Sequence, residues 1–342
     1  MLTNLGFIGI RIAKTVLAIA HGASPRILAY PWSSGYGTQY ANPSSGIPTS
    51  GGSSLAFTNS GNAVVLGHAT SGFNYLSAWP WSSGFGTKYA NPASDGNDFD
   101  VIDVTFNPSE TAIVASVNSL PQVGAWRWSS SGFGTKYSFP ASYSSDGRGV
   151  AFNPSGTSVV VGQSPSPYVS AYAWSSSGFG TKYTDLSPAL PGFGASSVAY
   201  SPDGAAIAMT SQQSPYVSVY AWSSGFGAKY ADPATTPTGN GQGVTFNSTG
   251  TSIAVAHTNS PYISAYPWSA GFGTKYANPA VMPQDTAMSV AFNKAGDALS
   301  AVHSLSPYVT TWTWSSGFGS KYTNPANAVP FGLPRKVVFS TS

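Results

Sequence analysis

Trp81–Ser94 reads WSSGFGTKYANPAS, and the chain says nearly the same thing at six other places. WSSGYGTQYANPSS starts at Trp32, WSSSGFGTKYSFPAS at Trp128 and WSSSGFGTKYTDLSPA at Trp174. WSSGFGAKYADPA starts at Trp222, WSAGFGTKYANPA at Trp268 and WSSGFGSKYTNPA at Trp314. The tryptophans are 49, 47, 46, 48, 46 and 46 residues apart. A fixed period of this size marks a repeat architecture, whose units bury their apolar faces on one another. It outranks the soft prior that 342 residues make two domains.

One unit, Gln242 to Pro279, shows what repeats. GVTFN (243–247) is a short apolar run closed by the turn STG. TSIAVAH (251–257) is a β-branched run closed by TNSP, and YISAYPW (262–268) a third run closed by SAGFG. TKYA (274–277) is a fourth, closed by the Pro-rich NPAVMP. Short apolar runs between Gly, Pro and Asn turns read as iterated antiparallel strands. Two residues before each Trp, every unit is aromatic: Tyr30, Trp79, Trp126, Tyr172, Tyr220, Tyr266, Trp312. Five before, every unit is aliphatic: Ile27, Leu76, Val123, Val169, Val217, Ile263, Val309. Alternation with period two places these sets on opposite faces. Both faces are apolar, so both need cover, and a four-stranded sheet between copies of itself is a propeller blade. The expected fold is all-β, a single seven-bladed β-propeller over residues 13–342.

Inner strands are expected at Leu55–Phe57, Val104–Phe106, Val150–Phe152, Val198–Tyr200, Val244–Phe246 and Val290–Phe292. The seventh is VVF, Val337–Phe339, near the C-terminal end, whereas KTVLAIAH (14–21) aligns with the second strand TSIAVAH. The C-terminal strand is therefore expected to complete the N-terminal blade, leaving no open edge. Residues 1–12 fall outside the count, with Leu5, Phe7, Ile8 and Ile10 giving an apolar arm. It reads either as an arm docking on a neighbour in an assembly or as a local plug or extra edge strand.

The unit resembles a WD-repeat blade. VAYSPDGAAIAMTSQQSPYVSVYAW (198–222) matches that family's inner strand, SPDG turn, second strand and third strand ending in Trp. The resemblance covers nearly the whole chain and implies the propeller and its closure by the two chain ends. The Trp is followed by Ser rather than Asp, and the Gly-His dipeptide is missing, so the family's Asp/His network is not carried over.

Charged residues are only 7% of the chain against a usual quarter or so, leaving a surface of Ser, Thr, Asn, Gln, Gly and Pro. The regular aromatic and aliphatic positions argue against low-complexity disorder. Net charge is +3, and six of the 14 basic residues are one repeated Lys: 88, 136, 182, 229, 275 and 321. These lie around the molecule rather than in a patch, so no nucleic-acid partner is expected. On a last strand they discourage edge-to-edge pairing. With no cysteine there is no disulfide and no thiolate site. No apolar run approaches the ~20 residues of a membrane span. The N-terminus has no basic n-region and its apolar run is broken by Arg11 and Lys14, so no signal peptide is read. Manufacture in the cytoplasm is expected, with release by lysis or another route if the protein works outside.

Candidate chemistry is sparse. All four histidines, His21, His68, His257 and His303, occupy one equivalent place at the end of the second strand. Four imidazoles around a rim offer a ligand-binding or pH-sensing ring, or simply capped strand ends; a shared metal fails because blades hold them far apart. Tyr75, Tyr168, Tyr216, Tyr262 and Tyr308 open the third strand beside a polar rim. The loop SDGNDFDVID (94–103) gathers four of the eleven acids, with Asp95, Asp98 and Asp100 a weak calcium candidate beside Asp103. The EF-hand pattern fails, no phosphate loop occurs, and one Glu, Glu110, leaves no glutamate pair for sugar hydrolysis.

These features lead to the expectation of no cofactor and no enzyme. The function expected is a non-catalytic disc with protein partners in a larger assembly, most specifically a phage virion, capsid- or tail-associated. The alternative is a lectin-like propeller binding cell-surface glycans through the rim tyrosines and histidines, where multivalency gives avidity. An enzyme using the central channel would need a unique polar cluster, and the acidic loop is acid without a partner.

Overall fold

The computed structural model describes residues 15–340 apart from 70–74, 94–99, 143–145, 165, 193 and 328. Twenty-five strands and no helix occur among them, in seven antiparallel sheets. Blade 1 pairs Val16–His21 with Ile27–Pro31 on one side and with the C-terminal Pro334–Phe339 on the other. Blades 2 to 7 start on inner strands Gly52–Phe57, Val101–Phe106, Gly147–Phe152, Val198–Tyr200, Gly241–Phe246 and Ala287–Phe292. The ring closes as expected: Leu17 faces Phe339, and Val16 N–H donates to Ser340 Oγ at 2.9 Å. The chain is a seven-bladed β-propeller.

The second strand of each blade is buried from end to end, because neighbouring blades cover both its faces. The first hairpin is set by a side chain in the NPSG-type turn. Asn107 Oδ1 accepts from the N–H groups of Thr111 and Ala112, both at 2.8 Å, while its Nδ2 donates to Ser109 and Thr111 hydroxyls. Asn153, Asn247 and Asn293 repeat the arrangement. Such side chains supply turn hydrogen bonds that the backbone would otherwise leave unmade. The turn's glycine, Gly156 in blade 4, sits at φ +69°, open to glycine without strain.

Blades are locked together by aromatic rings. Each repeat Trp meets three rings edge-on, with interplanar angles of 69–88°. One is the inner-strand Phe or Tyr of its own blade, such as Phe152 against Trp174 at 5.1 Å. The second is the aromatic of its own GFG turn, Phe179 at 5.0 Å. The third is the Tyr of the preceding TKY, so Tyr137 reaches Trp174 from the blade before, at 5.2 Å. Tyr322 against Trp32, at 5.0 Å, carries the pattern across the closure.

The fourth strand departs from expectation. It starts earlier, over GFGTK or FGxK, as in Gly132–Lys136, Phe226–Lys229 and Phe318–Lys321. In blades 1, 2 and 6 it shrinks to one bridge, Trp32–Tyr36, Trp81–Phe85 and Trp268–Phe272. Trp must face the turn aromatic directly, so pairing begins there. A proline before Trp in these three blades (Pro31, Pro80, Pro267) removes a ladder donor just where pairing would continue.

Trp174→Ala is expected to cost about 3–5 kcal/mol, since it deletes a buried ring and three edge contacts. Trp174→Phe should cost clearly less. Denaturant midpoints of the two variants against the parent check this.

Candidate functional site

The inner strands lay seven backbones around a central channel, and each contributes the residues just before its first Val or Leu. At the first position back these are Ser54, Asp103, Gly149, Ser197, Gly243, Ser289 and Lys336. At the second they are Ser53, Ile102, Arg148, Ser196, Gln242, Met288 and Arg335. Most of these line a cavity of about 440 Å³ at the channel mouth. The nearer position has a structural task. Ser54, Ser197 and Ser289 hydroxyls each accept the N–H of the next blade's Val at 3.3 Å, and Asp103 Oδ2 does the same for Val150 at 3.2 Å.

Charge breaks the sevenfold symmetry of this mouth. At the nearer position one acid and one base stand among serines and glycines, and they meet: Lys336 Nζ donates to Asp103 Oδ1 at 2.9 Å, spanning from blade 1 to blade 3. Ser54 Oγ, on the blade between, donates to the same oxygen at 2.5 Å. Asp103 is nearly buried, at 8% exposure, with its open side on the cavity. Its carboxylate has about four acceptor sites, and three are filled, two on Oδ1 and one on Oδ2. One remains on Oδ2 for a ligand or water. Lys336 uses one of three N–H donors on Asp103. Arg148, on blade 4, is braced by Asp146 at 3.1 Å and Ser164 at 3.0 Å. Arg335 is exposed on the wall. Blades 5 to 7 contribute only neutral groups: Ser196, Ser197, Gln242, Gly243, Met288 and Ser289.

The mouth therefore holds the unlike charges that the acidic loop lacked on its own. Asp103 and Asp100 reach the cavity wall; Asp100 pairs with Asn118, whose Nδ2 donates to it at 3.0 Å. Asp95 and Asp98 lie outside the described residues, as do Leu5, Phe7, Ile8 and Ile10 of the arm. No cluster of three metal-ligating side chains occurs among the described residues. Tyr75 is buried against Trp126, at 5.8 Å between ring centroids. Tyr168, Tyr216, Tyr262 and Tyr308 are half-buried, with φ of +65° to +68° in the tight turn before the third strand. Repeat lysines lie along their own turns, as Lys182 and Lys229 do on Asp185 and Asp232 at 2.6 Å. Lys336, Arg335, Arg148 and Ser54 are residues that the repeat pattern alone does not mark. The signal was present in the column Ser, Asp, Gly, Ser, Gly, Ser, Lys, once the repeats are aligned on the inner strand.

Solved propellers superpose on nearly the whole chain. A "putative 6-phosphogluconolactonase" from Bacteroides uniformis matches with a TM-score of 0.72 at 13% identity, covering 96% of this chain and 99% of that one. A second of the same description, from Bacteroides fragilis, gives 0.74 at 12%, covering 96% and 98%. A protein from Lactobacillus plantarum gives 0.75 at 13%, covering 95% and 99%. No family model matches the sequence, and no curated protein does. Likeness at this identity shows the fold. It does not single out WD repeats: two of these propellers carry the lactonase description and the third carries none. It also corrects the expectation of a non-catalytic virion disc, and of the lectin-like alternative. The propellers that share this chain's full length include two described as enzymes, and the missing polar cluster on which "not an enzyme" rested is present at Asp103 and Lys336.

The four histidines sit elsewhere, inside the blades, at 0–3% exposure. Nε2 of His257 faces Ser264 Oγ at 3.0 Å, His303 faces Thr310 at 3.0 Å, and His68 faces Ser77 at 3.2 Å. Gln163 takes the same place in blade 4, beside Ser170 at 3.2 Å. His21, whose backbone N–H donates to Arg26, has no hydrogen-bond partner on its ring among the described residues. Burial pushes all four down from 6.5 to about 4. An unfolded chain takes up these protons near 6.5 and the folded one does not. Stability is thus unaffected above pH 6.5 and falls as pH drops towards 4, by about 3 kcal/mol per histidine. Replacing all four by Gln, as at Gln163, should flatten the fall in melting temperature between pH 6.5 and 4. Melting curves across that range check it.

Proposed function

We propose that the channel mouth is an active site for hydrolysis of a lactone, the cyclic ester of a small hydroxy acid. The observation that carries this reading is the Asp103–Lys336 pair, the one acid and one base facing each other in a ring of serines and glycines. The description of the Bacteroides propellers as lactonases supports it. The WD-repeat resemblance contributes the architecture only.

Asp103 has the geometry of a general base. Its free acceptor site takes a proton from a water in the cavity, and the water oxygen attacks the lactone carbonyl. The carbonyl oxygen gains negative charge, and Lys336, whose ammonium stands beside Asp103, supplies an N–H donor to it. Cations placed where charge develops lower the barrier more than they bind the neutral ground state. Collapse of the tetrahedral adduct breaks the ring C–O bond, and Asp103 returns its proton to the departing alkoxide. Water and lactone become one hydroxy acid, with no redox step. Ser54 and Val150 hold the carboxylate in place, so base and cation keep their geometry through the cycle.

Asp103→Asn keeps the shape and removes the base. It should lower kcat for 6-phosphogluconolactone or gluconolactone by a factor of about 100 or more. Lys336→Met should lower kcat with less effect on KM. Hydrolysis is followed by proton release, with melting curves to confirm folding. A parent protein that hydrolyses neither lactone faster than water does, or full activity in Asp103→Asn, overturns the reading.

A further inference from the structure

Outside the cavity lining, the segment that leads into Arg335 carries an exposed apolar patch. Leu333 is 43% exposed and Phe331 85% exposed, two and four residues before Arg335 in the connection into the closing strand. Leu305, on the neighbouring loop of blade 7, is 53% exposed, and Tyr308 touches Phe331 edge-on at 6.4 Å. Solvent-facing phenylalanine is costly to leave in water, and a patch beside a pocket is where ligand contact offsets that cost. The loop is held in place. Gly22, itself on the cavity wall, donates its N–H to the carbonyls of Gly332 and Leu333. A Cβ on Gly332 would stand 2.4 Å from Ala23 Cβ, so the loop lies flat on its neighbour. Leu333 sits at φ +47°, a left-handed conformation that an L-residue adopts only with strain. A strained leucine and an exposed phenylalanine thus stand just before the strand that carries Arg335, a cation with no side-chain partner among the described residues.

We propose that the ligand of this pocket is amphipathic. Its anionic or ester oxygens face Arg335 and Lys336, and an alkyl or aryl group of several carbons lies on Phe331, Leu333 and Leu305. The substrate class is then a lactone carrying an apolar substituent, and its ring-opened product an acid with the same tail. This rests on the reading of the cavity as a ligand site but not on hydrolysis itself. Continuity decides the occupant: the patch and the cation belong to one segment, three consecutive alternate residues, 331, 333 and 335, and share the Gly22 wall.

Isothermal titration with decanoate and with acetate separates head from tail. Decanoate should bind about tenfold more tightly than acetate, or better. Phe331→Ser, at a site too exposed to affect folding, should abolish that preference and leave acetate unchanged. Arg335→Gln should weaken both. Equal affinities for the two acids, or an unchanged preference in Phe331→Ser, overturn the proposal. So does a parent dimer in sedimentation velocity that Phe331→Ser dissolves, since a second copy would then cover the patch. Titration of Asp103→Asn keeps the two readings apart. Tail-dependent binding without lactone hydrolysis by the parent overturns the hydrolytic role alone, and hydrolysis indifferent to tail length overturns this proposal alone.

Discussion

Everything in this molecule hangs on the box of three edge-on rings around each repeat tryptophan. Two of the rings belong to the tryptophan's own blade and fix how its strands stack. The third comes from the blade before and fixes the step to the next. An edge-to-face contact adds about 0.5–1.5 kcal/mol to the burial of its rings, and here it also has direction. Repeating one directional step seven times brings Tyr322 round to Trp32. The wheel therefore closes on geometry set locally, without disulfides and with few ion pairs.

That local solution explains the composition. When inter-blade faces are aromatic and second strands are wholly buried, the surface is left to turns, and turns here are built from Ser, Thr, Asn, Gly and Pro. Asn107, Asn153, Asn247 and Asn293 each satisfy two backbone N–H groups, so polar side chains are consumed in shaping hairpins. Charge is scarce because nothing structural requires it. Where it concentrates, at Asp100, Asp103, Arg148, Arg335 and Lys336, it stands out against a neutral background.

The fold was legible in the sequence because packing forces each unit to repeat the same residue at the same place. The tryptophan spacing, the aromatic column two before it and the aliphatic column five before it all translate into contacts. The start of the fourth strand was misplaced, since TKY looks like the better strand. The demand that Trp meet Phe or Tyr of the turn pulls pairing forward. The candidate site was hardly legible, for the opposite reason. Its residues are departures from the repeat, one per blade, and they are far apart in sequence: Asp103 and Lys336 are separated by 233 positions. The repeating histidines and tyrosines resemble a ring of sites because they repeat, yet repetition here signals packing. His257 and Tyr75 are buried for that reason.

The seam between the two ends of the chain has a further meaning for synthesis. Val16 finds its partner Ser340 324 positions later, so the first strands made on a ribosome must wait with an open edge until the last strand arrives. Contacts of such long range come late in folding, and that unpaired edge is the part of the nascent chain most in need of shielding from its neighbours. The same late strand brings Arg335 and Lys336. Asp103 therefore gains its cationic partner only at the last step, and a chain that has not closed its wheel lacks the Asp103–Lys336 pair.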